Sequence, residues 1–344
     1  MASSLVFVGT YTGDTGSAGI YACRLDHATG ALTVLGNGPK IENPSFLAVD
    51  TKKKRLYSVG ELGDGGVHAF SYDPQSGALQ LLNSQPSKGS YPCHLGLDPK
   101  GRYLLTANYG NGVVARYGLD KDGKLEPPIF DQHTGTGPNK TRQEGPHAHS
   151  FTPEPTGRLA YSCDLGTDEV ILYRVDNGLT RITDVKMAPG AGPRHFALHP
   201  NGKLAYVVNE LDLTVTACKR DGRNGKLTPF QTLSTLPRPK TDADSCADIH
   251  VAPSGKFLYA SNRGHDSIAI FALDAAGNMT AIGHESTQGK TPRNFGLSPD
   301  GSLLLAGNQN SGTIVTFAVD KKTGKLSAIA QAKVPAPVCI KILA

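Results

Sequence analysis

The segment GPRHFALHPNGKLAYVVNEL, residues 192–211, indicates the fold, because versions of it recur along the whole chain. It predicts a strand, a tight turn and a second strand. The pair Arg194 and His195 stands at the start of the first strand, and the pair Asn209 and Glu210 stands at the end of the second. Since a hairpin brings these two ends together, we expect the two pairs to meet at one rim of a sheet.

Two markers repeat with a common period. The anchor residues that correspond to Pro193 are Pro44, Pro92, Pro146, Cys246, Pro292 and Pro337, spaced 45 to 54 residues apart. Turns that begin with Asp and soon reach Gly occur near Asp26, Asp73, Asp120, Asp176, Asp221, Asp274 and Asp320. Four short strands in such a period are typical of a propeller blade. The sequence therefore predicts an all-β fold, a seven-bladed β-propeller with four antiparallel strands per blade, as a single domain over residues 1–344.

The two ends of the chain are predicted to share one blade. Residues 336–344 supply its innermost strand, and the other strands of that blade begin at Leu5. We name the strands of each blade A to D from the central channel outward. This closure leaves no open sheet edge in the ring. We expect no helix.

Composition and charge limit the class of partner. The net charge is +5 without a long basic run, which favours a small anionic ligand and argues against nucleic acid. No apolar run reaches the roughly 20 residues of a membrane span, and the N-terminus has no basic region ahead of its apolar residues, so we expect a cytoplasmic location without membrane contact. The six cysteines lack C-x-x-C spacing, and we interpret them as buried thiols.

Aligned strands show where the repeat diverges. An ungapped alignment places His149 in an otherwise apolar column of strand A, and places His147 in a rim column with Arg194 and Arg293. Two aligned columns mark the end of strand B. The first of them holds Asn in most blades, including Asn108, and holds Asp164 in one blade. The Asn residues suit a turn, so we expect a structural role for most of them. The next column varies, and its members are Tyr11, Glu61, Tyr109, Leu165, Glu210, Arg263 and Gln309. Variation on a fixed frame is typical of a binding site.

The predicted rim supports more than one interpretation. Arg194 and Arg263 could hold an anion in bidentate fashion, or could pair with acidic neighbours such as Glu210. Glu210 could be a general base or only a counter-charge. The segment 126–145, which carries Arg142, could fold over the channel mouth or be a solvated insertion. A calcium site is the weaker interpretation, because the arginines would repel the cation. We expect neither metal nor cofactor, and no G-x-S-x-G motif indicates a serine nucleophile.

The motifs resemble those of the lactonase family of seven-bladed propellers, which includes propeller-type 6-phosphogluconolactonases and the fungal carboxymuconate cyclase. The matching segments are residues 107–110, 135–138, 142–143, 146–149, 164–166, 192–195, 209–211, 261–264 and 292–295. The resemblance implies an active site with one His, two Arg and one Glu, which correspond to His147, Arg194, Arg263 and Glu210. It also implies that no metal is required.

Three functions follow as hypotheses. The first is hydrolysis of a sugar lactone, with 6-phosphogluconolactone as the expected substrate. The second is closure of a carboxylated muconate to its lactone, and the third is a propeller that binds an anion or a protein without catalysis. The predicted catalytic residues are His147, Arg194, Glu210 and Arg263. The predicted substrate-binding residues are Asn108, Arg142, His149, Asp164, His195 and Arg293.

Overall fold

The computed structural model describes residues 3–344, which form 28 strands. In chain order the strands are β1 (Ser3–Thr10), β2 (Tyr21–Asp26), β3 (Leu32–Asn37), β4 (Leu47–Asp50), β5 (Arg55–Gly60), β6 (Gly66–Tyr72), β7 (Leu79–Pro86), β8 (Pro92–Leu97), β9 (Tyr103–Asn108), β10 (Val113–Gly118), β11 (Ile129–Gln132), β12 (Ala148–Pro153), β13 (Leu159–Asp164), β14 (Glu169–Arg174), β15 (Thr180–Lys186), β16 (Pro193–Leu198), β17 (Leu204–Asn209), β18 (Thr214–Arg220), β19 (Leu227–Ser234), β20 (Ser245–Val251), β21 (Phe257–Arg263), β22 (Ser267–Leu273), β23 (Met279–Ser286), β24 (Pro292–Leu297), β25 (Leu303–Asn308), β26 (Thr313–Val319), β27 (Leu326–Lys333) and β28 (Pro337–Ile342).

The strands form seven antiparallel sheets of four, arranged as the blades of a propeller. Blade 1 combines β28 with β1, β2 and β3, and the remaining strands form blades 2 to 7 in chain order. Strand β28 pairs with β1 through Val6 to Ile342 and Val8 to Ile340. The predicted fold class and the closure of the ring by both chain ends are therefore confirmed.

The Asp-to-Gly turns join strands C and D of every blade, as the repeat predicts. In each turn the Asp carboxylate accepts a hydrogen bond from a backbone N–H one or two residues later. Four of these turns are also bonded to the preceding blade by a buried tyrosine of its strand B. The pairs are Tyr57 with Gly123 O (3.1 Å), Tyr161 with Gly225 O (2.7 Å), Tyr206 with Gly277 O (3.1 Å) and Tyr259 with Gly324 O (2.9 Å). The turns thus help to hold neighbouring blades together.

The apolar core lies between adjacent blades rather than in one central mass. Bulky side chains at the middle of the A strands, such as Leu47 and Phe295, are fully buried against an adjacent blade. All six cysteine thiols are free and buried, as predicted. Helical structure in residues 3–344 is limited to two 3₁₀ turns, Gly13–Thr15 and Gln309–Ser311. That part of the chain contains no helix that is both long and apolar enough for a membrane span.

Blade 4 departs from the ungapped alignment. In blade 5 the anchor Pro193 pairs with Asn209 at the end of strand B. In blade 4 the residue that pairs with the equivalent Asp164 is Ala148, two positions after the proposed anchor Pro146. The segment that precedes β12 is therefore two residues longer than the alignment assumed.

This shift corrects the placement of both histidines. His149 occupies the position of Arg194 at the rim, and Phe151 fills the bulky interior position, where it is fully buried. The placement of His149 in the apolar column, and of His147 beside Arg194 in the rim column, was wrong. Strand pairing sets the register, and the length of the preceding segment could not be read from the repeat alone.

Candidate active site

A β-bulge at the start of strand A aims side chains at the channel mouth. In six blades, pairing with strand B skips one residue or more just after the anchor residue or its counterpart. The skipped residues include Cys93, His149, Arg194 and Arg293. Because a bulge turns the extra side chain away from the regular alternation, neighbours such as Arg194 and His195 both reach the channel axis, with Nη1 of Arg194 only 3.3 Å from Nε2 of His195.

The bulges and the ends of strands B surround a cavity of about 290 Å³, which we call the mouth cavity. Its lining residues are Glu61, Cys93, Tyr109, Arg142, His149, Glu210, Ser245, Arg263 and Arg293. A narrow extension below it is lined in part by Ser45, Arg194 and His195. Three guanidinium groups and two carboxylates thus line the mouth cavity, and Arg194 adds a fourth guanidinium group in the extension, so the lining carries a net positive charge.

Glu210 lies at the centre of an arginine cluster. Its Oε1 accepts a hydrogen bond from Arg142 (2.7 Å), and its Oε2 pairs with Arg194 Nε (2.9 Å) and Arg263 Nη2 (3.0 Å). Burial alone would raise the pKa of Glu210, but the three guanidinium groups outweigh it and hold the pKa well below its usual range. The carboxylate is therefore ionised and a weak base.

Arg194 and Arg263 are fixed by the protein. Arg194 is buried and also donates to the carbonyl of Ala247, while Arg263 Nη2 donates to the carbonyl of Cys246 at 2.8 Å. Burial, followed by the charges of the other arginines, lowers the pKa of Arg194 to about 10. Both side chains remain cationic at neutral pH, yet much of their charge is offset by Glu210.

Arg293 differs from the other three arginines. Among the residues that the structure describes, its guanidinium has no hydrogen-bond acceptor and no ion-pair partner, and its Cζ lies 5.4 Å from the centre of the Tyr11 ring. Burial alone would lower the pKa of Arg293, but the acidic groups of Tyr11 and Glu61 outweigh it and raise the pKa. Arg293 is thus a permanent cation that faces the mouth cavity.

Arg142 reaches the mouth cavity from the long segment between blades 3 and 4. Segment 126–145 first contributes β11, the outer strand of blade 3, and so is not an insertion over its whole length. The later part lies at the mouth, because buried Gln143 donates to Leu165 O (2.8 Å) and Asp168 Oδ1 (2.7 Å). Arg142 is 38% exposed and also donates to Tyr109 Oη at 3.2 Å.

The three predicted histidines occupy different places. His147 stacks on Tyr109 with ring centres 4.6 Å apart, outside the cavity lining, and its Nε2 lies 3.1 Å from Glu144. His149 lines the cavity, and burial, followed by the charge of Arg194, lowers its pKa well below the usual value.

His195 lies deeper, where its Nδ1 bonds Asp248 at 2.7 Å. Burial, followed by the charge of Arg194, lowers the pKa of His195 to about 4. At neutral pH it is an uncharged ring between the arginine cluster and the lower channel.

Asn108 and Asp164 lie outside the mouth cavity. Asn108 donates to the carbonyls of Ser87 (3.3 Å) and Val113 (2.9 Å), which ties the end of β9 to β10 and to the segment that follows β7 of blade 2. Asp164 accepts hydrogen bonds from three backbone N–H groups and lies 2.6 Å from His133. Their bonds are structural, as the alignment favoured for the Asn column.

Sequence reasoning missed four cavity residues: Glu61, Cys93, Tyr109 and Ser245. Glu61 and Tyr109 stand in the same variable column as Glu210 and Arg263, so the signal for them was present. Ser245 is the first residue of β20, one position before the anchor Cys246, and carried no signal. Residues 3–344 contain no group of three His, Cys, Asp or Glu side chains arranged to hold a metal ion.

Comparisons with known proteins agree with this architecture. Residues 5–342 match the family described as "Lactonase, 7-bladed beta-propeller". A 6-phosphogluconolactonase of Bacillus subtilis is 40% identical over 350 residues, covering 100% of this chain and 99% of that protein. A 6-phosphogluconolactonase of Formosa agariphila is 36% identical, with 96% of each chain covered. The solved periplasmic gluconolactonase PpgL of Pseudomonas aeruginosa superposes with a TM-score of 0.93 at 31% identity, covering 100% of this chain and 99% of that one. The chain belongs to the lactonase family of seven-bladed β-propellers.

Proposed function

We propose that the protein hydrolyses a sugar lactone at the mouth cavity, with 6-phosphogluconolactone as the expected substrate. The observation that carries the proposal is Arg293, a guanidinium without an ion-pair partner that faces a cavity of about 290 Å³. The relatives named 6-phosphogluconolactonase, which match nearly the full chain, support the choice of lactone. The activity belongs to the pentose phosphate pathway, and we retain the cytoplasm as the expected location.

The arginines divide into two roles in this proposal. Arg194 and Arg263 hold Glu210 and shape the wall of the cavity. Arg293 polarises the lactone carbonyl and stabilises the oxyanion that forms when water attacks it, because a preorganised cation acts strongly in a partly buried site. No metal ion is needed for this step, and the positive lining would repel one.

Arg142 is suited to the phosphate of the substrate. It stands at the outer edge of the cavity and is partly exposed, so it can exchange its bond with Glu210 for a phosphate oxygen. Guanidinium binds phosphate in a planar, bidentate geometry. A phosphorylated lactone would then bind with its ring inside the cavity and its phosphate at the rim.

The test is hydrolysis of freshly prepared 6-phosphogluconolactone, followed by acid release and corrected for spontaneous opening. We expect saturable turnover, with a higher kcat/KM than for unphosphorylated gluconolactone. The same preparation is tested for loss of the ultraviolet absorbance of a carboxylated muconate, which a cyclase would produce. Stabilisation by sugar phosphates without turnover of any lactone would contradict the proposal and favour a binding protein.

A further inference from the structure

The mouth cavity contains a second carboxylate, Glu61, whose hydrogen-bond partners differ from those of Glu210. Glu61 follows β5 at the end of strand B of blade 2, in the column that Glu210 occupies in blade 5. Both oxygens of Glu210 accept hydrogen bonds or ion pairs from arginines. Within the described residues, no arginine or lysine nitrogen lies within ion-pair distance of Glu61. No cation therefore competes with a proton for its oxygens.

The contacts of Glu61 leave one oxygen open. Tyr11 Oη donates to Oε2 at 2.9 Å, and Ser45 Oγ donates to the same oxygen. Burial raises the pKa of Tyr11, so the phenol remains a neutral donor. Oε1 accepts no hydrogen bond from residues 3–344. It is not one of their fully buried polar atoms, so it keeps contact with solvent. Two hydroxyl groups thus fix the carboxylate while Oε1 remains available.

Two other titratable groups of the cavity are held in forms that are poorly suited to accept a proton. Burial raises the pKa of Cys93, which remains a thiol, and burial with the charge of Arg194 lowers the pKa of His149. Tyr11, Cys93 and Arg293 lie close enough to Glu61 for its charge to affect their pKa values. Arg293 is therefore placed near both the carboxylate and the space in which a carbonyl would bind.

We propose that Glu61 is the general base of the lactone hydrolysis, an assignment that rests on the proposed function. Oε1 of Glu61 takes a proton from water as the water oxygen bonds to the lactone carbonyl carbon. Arg293 stabilises the resulting oxyanion. The intermediate then breaks its ring C–O bond, and the ring oxygen receives the proton from Glu61, which yields the hydroxy acid and the free base. Neither Glu210 nor His147, the two bases considered from sequence, is needed for this proton transfer.

The test compares Glu61→Gln with the parent, and with Glu126→Gln as a control at an exposed glutamate outside the cavity. In Glu61→Gln the amide oxygen can still accept from Tyr11 and Ser45, whereas the amide nitrogen cannot take a proton. We expect kcat to fall roughly 100- to 10,000-fold, with KM and the midpoint of thermal unfolding close to those of the parent.

A second variant keeps the assignment testable if Gln disturbs the site. Glu61→Ala leaves space beside Tyr11 and Ser45, and we expect sodium formate, but not sodium chloride, to restore part of the rate. If the parent is active and Glu61→Gln has nearly the same kcat, the role of Glu61 is overturned while the proposed function stands. A folded Glu61→Ala variant that formate does not restore would also count against it. A parent that hydrolyses no lactone would overturn the proposed function itself.

Discussion

Nε of Arg194 donates to Oε2 of Glu210 at 2.9 Å, and neither side chain is more than 5% exposed. The pair joins the bulge of β16 to the end of β17. Buried charge pairs are costly to break, because the remaining partner loses both its hydration and its counter-charge. Three arginines depend on Glu210 for their counter-charge, so Glu210 is primarily a structural residue of the mouth cavity.

Glu210→Gln should destabilise the fold. The change removes the negative charge that Arg142, Arg194 and Arg263 share, and we expect the free energy of unfolding to fall by roughly 3 kcal/mol or more. Urea unfolding followed by circular dichroism measures the change. Glu126→Gln, at an exposed site, should stay within about 0.5 kcal/mol of the parent. Equal loss in the two variants would contradict the role of the cluster.

The contribution of Glu210 should depend on pH. Because its pKa is lower in the folded state than in the unfolded chain, the stabilisation is present above about pH 4.3, the ordinary value for Glu. It declines as the pH falls through the folded-state pKa. The difference in unfolding free energy between the parent and Glu210→Gln should therefore narrow in acid. A constant difference from pH 7 to pH 3 would contradict this assignment.

Arg142→Ala should weaken substrate binding more than stability. The side chain is 38% exposed, so we expect a stability loss of about 1 kcal/mol or less. If Arg142 binds the phosphate, KM for 6-phosphogluconolactone should rise roughly tenfold or more, as loss of a charge-assisted hydrogen bond implies. Steady-state kinetics with Lys140→Ala, an exposed residue of the same segment, provides the control. An unchanged KM would remove Arg142 from phosphate recognition.

Tyr259→Phe should loosen the contact between blades 6 and 7. It removes the hydrogen bond to Gly324 O at 2.9 Å, and we expect a loss of about 1 kcal/mol in unfolding free energy. Tyr91→Phe, which changes an exposed ring, should have no effect in the same urea titration. Similar results for both variants would show that the tyrosine bonds do not hold the blades together.

The propeller could be predicted because its signals are local and repeated. Each Asp-to-Gly turn uses an Asp side chain that bonds its own backbone, as Asp221 does with Arg223 N at 2.8 Å. The period of the anchors then counts the blades. Ring closure followed from the spacing between Pro337 and Pro44 across the chain ends, and β28 does pair with β1.

The details of the site depend on contacts that no repeat encodes. The register of β12 moved His149 into the cavity and left His147 behind Tyr109. The pairing of Glu210 with three arginines, and its absence at Glu61, arises from side chains of different blades that meet only in the folded ring. A column of aligned residues shows that both glutamates face the mouth, but not which of them is free to accept a proton.

The most direct test of the account is kcat/KM of Arg293→Ala for 6-phosphogluconolactone, measured beside Arg158→Ala, an exposed arginine outside the cavity. Loss of a donor to the oxyanion lowers the rate roughly 100- to 1,000-fold in other enzymes. We predict a decrease of that size for Arg293→Ala and parental activity for Arg158→Ala, with both variants folded. An Arg293→Ala variant as active as the parent would contradict catalysis at the mouth cavity by this arginine.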